Sequence, residues 1–222
     1  MGALEAIRQL IRQGYRARPE NLAGMALQAA ELLGVTTLVI YVVDHQQREL
    51  LPLSSTRSPA GPAIAIDGTL AGRAYSTIVP APGTLDTGEH TLWVPLLDGS
   101  ERMGVLHATA SGPLDEQSVT DLTTVAAMIG ELVVTGDLYS DTIERLRRRE
   151  PMRLAAEMLR ARLPPLTFAT SRTVIAGILE PCYDVGGDAF DFAVNGDTAH
   201  LASSTPSGTA PPVACAPSSW PP

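Results

Sequence analysis

The first third of the chain shows a helical pattern of apolar residues that changes into a strand pattern. Apolar side chains recur every three or four positions over residues 4–11, and again between Pro19 and Gly34. This spacing predicts two amphipathic helices, the second beginning near the proline and ending at the glycine. The next segment, VTTLVIYVVD, is dense in β-branched residues, and polar HQQRE separates it from LLPLS. We therefore predict a buried strand, a turn and a returning strand.

The middle of the chain alternates loop-like segments with short apolar ones. Residues 54–65 are rich in Ser, Pro and Gly, and the later segment PAPGTLDTGEH resembles them in composition, so both are predicted as loops. Between them, AIDGTLAGRAYSTIVP predicts a turn at Gly68 and a short helix. In LWVPLLDGSERMGVLHATA, two apolar runs flank Asp98 and Gly99. This arrangement predicts a β-hairpin.

A long apolar stripe at helical spacing begins near Asp115. Gly136 and Asp137 interrupt it, and Pro151 lacks a backbone donor, so we predict two or three helical segments. The first half of the stripe is expected to lie on the domain's own sheet. For the second half, packing on the same sheet and dimeric coiled-coil packing both remain open.

Composition limits the classes of function. The chain has 222 residues, 45% of them hydrophobic, and a formal net charge of −8, which argues against a nucleic-acid-binding surface. Its longest apolar runs, such as residues 38–43, are too short to span a bilayer, so we expect a cytoplasmic protein without a membrane interaction. The two cysteines, Cys182 and Cys215, form no zinc signature. The four histidines are scattered, and we interpret each as a surface or satisfied core residue.

Two segments of the first part resemble GAF domains. IAIDGTLAGRAY is similar to the middle of that family, and WVPLLDGSERMGVLHA to its strand pair. The resemblance covers roughly residues 18–135 and implies an α+β domain that senses a small molecule or redox state, or that dimerises. Because residues 1–135 contain no cysteine, a covalently attached bilin is not expected, and nothing singles out a haem. A purely structural GAF domain is the alternative.

A second resemblance begins beyond Pro151. MRLAAEMLRARLPP resembles the entry helix of SpoIIE-type PPM phosphatases. A strand VIAGILEP, a turn at VGGD and a second strand DAFDFAVNGDTAHLA follow in the order that the family shows. In this family the aspartate of the motif, Asp188 here, ligates one of two Mn²⁺ or Mg²⁺ ions, and a metal-bound water attacks phosphoserine or phosphothreonine. Gly186 and Gly187 would let the backbone approach the ion, and a carboxylate oxygen suits these hard cations. Strand alternation points Asp191 away, and Asp184 is interpreted as a turn or solvent residue.

The remaining ligands of that family are absent from the sequence. No Asp-x-x-Gly-His-Gly segment follows, and the tail SSTPSGTAPPVACAPSSWPP has six of the 18 prolines and no charged residue. We therefore expect residues 203–222 to be unable to continue a sheet and to be disordered or loosely packed, and no metal to be tightly bound. Back-translation with a one-base shift near Ala202 can restore the motif, as IFDSVGHGTARGLRAIFVAA, which suggests a frameshifted product. A natural low-complexity tail is the alternative. The nucleotide sequence around Ala202 tests this hypothesis.

Together these patterns predict an α+β chain: a GAF-like antiparallel sheet flanked by helices, a helical linker, and an incomplete PPM-phosphatase β-sandwich. The predicted divisions are an N-terminal helix at 1–15, a sensor domain at 16–135, a linker at 136–162, a truncated phosphatase domain at 163–202 and the tail. The predicted function is that of a bacterial GAF-regulated SpoIIE-type phosphatase without substantial activity. Its complete form would dephosphorylate a regulatory protein such as an anti-sigma-factor antagonist. The alternative is a non-catalytic GAF module that binds a ligand or forms a homodimer.

Overall fold

The computed structural model describes residues 2–14, 17–54, 61–170, 172–178, 182–184, 188–204 and 214–217. Contacts divide the chain into two units, Met1–Arg149 and Glu150–Pro222, and each is described by itself. The predicted N-terminal helix and the first part of the predicted linker therefore fall within the first unit.

The first unit combines five helices with six strands among its described residues. The helices are α1 Gly2–Gly14, α2 Pro19–Leu33, α3 Leu70–Thr77, α4 Glu116–Asp137 and α5 Thr142–Arg147. The strands are β1 Thr37–Val43, β2 Glu49–Pro52, β3 Ile64–Ala65, β4 Ala81–Thr84, β5 His90–Asp98 and β6 Glu101–Ala110.

Local sequence signals explain several helix ends. Pro19 lies at the start of α2, and Gly34 ends that helix with a positive φ of 70°. At the start of α4, the side chain of Asp115 accepts a hydrogen bond from the backbone N–H of Ser118 at 2.8 Å. The interruption predicted after Gly136 is observed, because α4 ends at Asp137 and α5 begins at Thr142.

The six strands form one antiparallel sheet in the order β3-β2-β1-β6-β5-β4. The predicted hairpin at Asp98 and Gly99 is confirmed as the β5–β6 turn. Its register shifts between Leu96 and Leu97, so that β6 contains one extra residue. Close to this shift, β6 passes near β1: a Cβ added to Gly104 would lie 1.9 Å from the carbonyl oxygen of Tyr41. Only glycine fits there.

Helices α1, α2, α4 and α5 contribute to a core on one side of the sheet, which we call the inner face. Its strand residues are buried and almost wholly aliphatic: Leu38, Ile40, Val42, Leu51, Leu92, Val94, Leu96, Met103, Leu106, Ala108 and Ala110. Helix α4 has the length and composition of a membrane span. It is nevertheless a core helix of this unit, since Leu122, Val125, Ile129 and Val133 are buried in the same cluster.

Two short strands lie in segments that the sequence predicted as loops. β3 falls within residues 54–65, and β4 within PAPGTLDTGEH. Both are edge strands of the sheet, each paired to one neighbour. An edge strand tolerates Pro82 and Gly83, because one side of its backbone needs no partner in the sheet. The loop prediction was therefore wrong at these two places.

The second unit contains one short helix and five short strands among its described residues. They are α6 Leu154–Arg160, β7 Thr167–Ala169, β8 Val174–Ala176, β9 Ala189–Asn195, β10 Thr198–Ser204 and β11 Ala214–Pro217. β7 pairs with β8, and β10 pairs with both β9 and β11, all antiparallel. The rings of Phe168 and Phe192 lie 5.8 Å apart.

This arrangement corrects two details of the sequence interpretation. The single strand predicted over DAFDFAVNGDTAHLA is a hairpin, since Gly196 turns the chain with a φ of 60°. The tail was expected to be unable to continue a sheet, yet β10 extends to Ser204 and β11 pairs with it. β10 offers β11 an unpaired edge, and only Pro217 in that strand lacks a backbone donor. Residues 205–213 and 218–222 of the predicted tail lie outside the described residues.

Candidate functional site

The opposite side of the sheet, which we call the outer face, is built from different residue types. Helix α3 contributes to its cluster through Ala71, Ala74 and Tyr75. The alternation of β1, β5 and β6 places aromatic and polar side chains here beside aliphatic ones: Val39, Tyr41, Val43, Thr91, Trp93, Val105, His107 and Thr109. The outer face is the candidate functional site.

The strand register aligns two rows of side chains across this face. His107 on β6 lies between Val39 on β1 and Trp93 on β5. One step along the strands, Thr109 lies between Thr37 and Thr91, and the hydroxyl oxygens of Thr37 and Thr109 are 2.7 Å apart. A row of threonine side chains therefore lies directly beside the row that contains Trp93 and His107, which we call the aromatic row.

The aromatic row is centred on a stacked pair. The rings of Trp93 and His107 lie 3.8 Å apart with an interplanar angle of 10°, and Tyr41 approaches Trp93 at 5.6 Å with a tilt of 60°. Burial lowers the pKa of His107 to about 4. The imidazole is therefore neutral at pH 7, and it presents a π-surface and one hydrogen-bond acceptor instead of a positive charge.

Thr91 contacts both the imidazole of His107 and the backbone of β6. Its hydroxyl donates to the carbonyl oxygen of Ala108 at 3.1 Å and lies 2.5 Å from Nε2 of His107. A hydroxyl has a single hydrogen, so when that hydrogen points to Ala108, Thr91 acts as the acceptor in its contact with the imidazole. In this arrangement Nε2–H donates to Thr91, and Nδ1 carries the lone pair.

Two residues at the start of helix α3 fix its position against the segment that follows β3. The Thr69 side chain accepts a hydrogen bond from the backbone N–H of Gly72 at 3.0 Å. A Cβ added to Gly72 would lie 1.7 Å from the carbonyl oxygen of Ile66, so no larger residue fits. Helix α3 carries Tyr75, whose hydroxyl donates to Oε1 of Gln47 at 3.2 Å. Burial raises the pKa of Tyr75 to about 12, although Arg102, 5.0 Å from its ring, opposes the shift.

Sequence reasoning did not identify this site. Each of the four histidines was interpreted as a surface or satisfied core residue, and His107 was given no role. The alternation of TLW and HAT in the two hairpin strands was the available signal. The partner of His107 depends on the register shift near the turn, which the sequence pattern does not reveal.

The predicted metal residues lie in the second unit. Asp188 is exposed immediately before β9, and Gly186 and Gly187 lie outside the described residues. Nε of Arg153 is 3.2 Å from a carboxylate oxygen of Asp184, and Asp191 accepts a hydrogen bond from the backbone N–H of Phe192 at 2.8 Å. Within the described part of the chain, no three His, Cys, Asp or Glu side chains converge as a metal site would require.

Comparisons with solved structures identify the fold of about three fifths of the chain. No family model and no curated protein matches the sequence. Among solved structures, the GAF domain of an Acinetobacter phosphoenolpyruvate-protein phosphotransferase is 18% identical, with a TM-score of 0.52, covering 61% of this chain and 95% of its own. The GAF domain of a phosphoenolpyruvate-protein phosphotransferase from Coxiella burnetii is 14% identical, with a TM-score of 0.54, covering 62% and 96%. The chain therefore contains a GAF fold, as the first resemblance implied.

Proposed function

We propose that the first unit is the sensor of a bacterial signalling protein and binds a small planar molecule at its outer face. The observation that supports this proposal most strongly is the Trp93–His107 stack with Thr91 hydrogen-bonded to the imidazole. A flat ring can stack on these aromatic surfaces, and a donor group on the ligand can bond to Nδ1 of His107. The low pKa of His107 favours an uncharged or weakly polar ligand over an anion.

A purely structural role would not require this chemistry. The strand residues of the inner face are aliphatic apart from Met103. Burying an imidazole and several hydroxyl groups requires hydrogen-bond partners for each, and it adds nothing that Leu or Val could not supply to a core. A binding role accounts for their concentration on one face.

A thermal-shift screen of the full chain tests the sensor proposal. The panel consists of uncharged planar heteroaromatic compounds with ring N–H or amino donors, such as purines and pterins. We expect at least one compound to raise the melting temperature saturably, because a ligand that binds only the folded state stabilises it. Thr91→Val should abolish the shift, and Thr37→Val, the same change further along the face, should retain it. Binding that is unaffected by Thr91→Val would contradict this site.

We further propose that the second unit derives from a SpoIIE-type protein phosphatase and lacks substantial activity in this chain. Helix α6, strand β8 within VIAGILEP, and Asp188 before β9 occur in the order that the sequence resemblance implies. The complete enzyme would use Mn²⁺ or Mg²⁺ to dephosphorylate Ser or Thr of a regulatory protein such as an anti-sigma-factor antagonist. A phosphopeptide assay with Mn²⁺ should show no turnover. Turnover that Asp188→Ala abolishes and Asp191→Ala retains would overturn this proposal.

Homodimerisation is the second candidate function. The exposed apolar side chains of the first unit include Leu4 and Ile11 on α1, and Leu138 and Tyr139 after α4. A second copy of the chain could cover them in a helical interface. Analytical ultracentrifugation should show a dimer that Ile11→Glu weakens, with Arg12→Glu on the same helix as the control. A strict monomer at high concentration would contradict this candidate.

A further inference from the structure

The turn between β1 and β2, residues 44–48, has a tightly fixed conformation. Asp44 is 1% exposed, and its carboxylate accepts hydrogen bonds from the backbone N–H groups of Arg48 at 2.7 Å and Glu49 at 2.9 Å. Gln47 adopts a positive φ of 54°, which is uncommon for a residue other than glycine. These constraints fix the residues of the turn relative to one another, so a displacement at one of them is transmitted to the others.

Helix α3 contacts this turn from the outer face. The hydroxyl of Tyr75 donates to Gln47, while the Tyr75 ring is 3% exposed in the outer-face cluster together with Val43. A shift of α3 or of β1 caused by a ligand would therefore reach the turn directly.

Helix α5 contacts the same turn through His45 and the strand just before it. Nε2 of His45 lies 2.8 Å from a carboxylate oxygen of Glu144, and the His45 side chain is 2% exposed. Arg147 donates from Nε to the carbonyl oxygen of Val43 at 2.9 Å, and its own carbonyl accepts from the backbone N–H of His45 at 3.2 Å. Ile143 is fully buried in the inner core.

We propose that the β1–β2 turn is a relay that couples the outer face to the docking of α5, the segment through which the chain leaves the first unit. The inference rests on the proposed function insofar as it takes the outer face to be the sensed site. Its two ends are the Tyr75–Gln47 and the Glu144–His45 hydrogen bonds. The turn residues in these two hydrogen bonds, Gln47 and His45, are two positions apart in a single rigid turn. Displacement of one residue therefore changes the hydrogen-bond geometry of the other.

Helix α5 has the properties of an element that can dock and release. It is a six-residue helix, too short to be stable without its contacts. Burial opposes the negative charge of Glu144, but hydrogen bonding and charge attraction from His45, with help from Arg148, hold its pKa at about 2. The docked state therefore depends on a charge-assisted contact, which a small displacement of the turn would weaken.

Hydrogen exchange of the full chain without any ligand tests the relay. Tyr75→Phe removes the hydroxyl that bonds to Gln47, and we expect exchange of the α5 amides to rise about threefold to tenfold. Tyr41→Phe removes a hydroxyl from the same face and should leave α5 unchanged. Amides of residues 122–133 in α4 serve as the internal reference, and their exchange should stay at the wild-type rate in both variants.

A second pair of variants tests the docking contact itself. Glu144→Gln should raise α5 exchange about tenfold or more, because a neutral amide replaces the carboxylate. Asp141→Asn makes the same change at an exposed carboxylate that lies 3.7 Å from Arg145 of α5, and it should raise α5 exchange less than about twofold, because an exposed ion pair contributes little. The relay is overturned if Tyr75→Phe leaves α5 exchange unchanged while Glu144→Gln raises it, or if neither variant changes it. Since no ligand is used, these outcomes are independent of whether the screen finds one.

Discussion

The two faces of the central sheet share the same strands but differ in chemistry. On β6, Leu106 is fully buried in the aliphatic inner core, and its neighbour His107 stacks on Trp93 across the outer face. On the inner face, burial of aliphatic surface stabilises the fold. Part of the outer face consists of hydrogen-bonded polar groups, which stabilise a fold less than the same volume of aliphatic packing does. Both faces are buried, but the inner face is an aliphatic core, whereas the outer face combines aromatic, polar and aliphatic side chains.

The largest difference between the two faces is expected in the free energy of unfolding after substitution of adjacent residues on β6. Leu106→Ala should lower the free energy of unfolding by about 2–5 kcal/mol, because it leaves a cavity in a closely packed core. His107→Leu should change it by less than about 1 kcal/mol, since an apolar side chain of similar size replaces the imidazole. Urea denaturation monitored by circular dichroism measures both. Equal losses would show that the two faces contribute alike to stability.

The pH dependence of stability should isolate His107. Its pKa is about 4 in the folded protein because of burial, against about 6.5 when unfolded. Below pH 6.5 the unfolded chain therefore takes up a proton that the folded chain does not, and stability falls as the pH drops towards 4. The loss from this group should reach up to about 3 kcal/mol.

The matched variant for this experiment is His107→Gln, which has no titrating ring. Its unfolding free energy should fall less steeply between pH 6.5 and 4 than that of the wild type, measured by urea denaturation at several pH values. Parallel curves for the two proteins would mean that the imidazole is protonated equally in both states, contrary to the buried site described above.

A smaller effect should follow from removing the Thr91 hydroxyl. Thr91→Val deprives Nε2 of His107 of its partner, and we expect a loss of about 1 kcal/mol. Thr123→Val on the exposed side of α4 removes a hydroxyl that bonds only to its own helix, and should cost less than about 0.5 kcal/mol. Thermal unfolding at pH 7 compares them. A larger cost for Thr123→Val would reverse the order that the structure implies.

Much of the fold could be predicted from the sequence because its signals are local. The Pro19 and Gly34 boundaries, the Asp98-Gly99 turn and the stripe of α4 each depend on nearby residues, and the structure has all of them. β3 and β4 could not be predicted, since two to four residues rich in Ala, Pro and Gly carry little strand pattern. Their pairing depends on the neighbouring strands instead.

The site could not be predicted because its register depends on a bulge. Counting outward from the pair Asp98 and Glu101 would place Trp93 opposite Leu106. The extra residue in β6 shifts the pairing by one, which brings His107 opposite Trp93. The close approach at Gly104 that accompanies the bulge appears only when β1 is packed against β6.

A fluorescence titration that reports from Trp93 tests most directly whether a planar ligand binds at the outer face. Trp93 and Trp220 are the only tryptophans in the sequence, so Trp220→Phe leaves Trp93 as the sole indole. The compound that gives the largest thermal shift is titrated into this variant, with Thr91→Val in the same background as the control. We predict a saturable change in Trp93 emission that Thr91→Val abolishes. Saturable binding by calorimetry with unchanged Trp93 emission would contradict the assignment of the outer face as the sensor site.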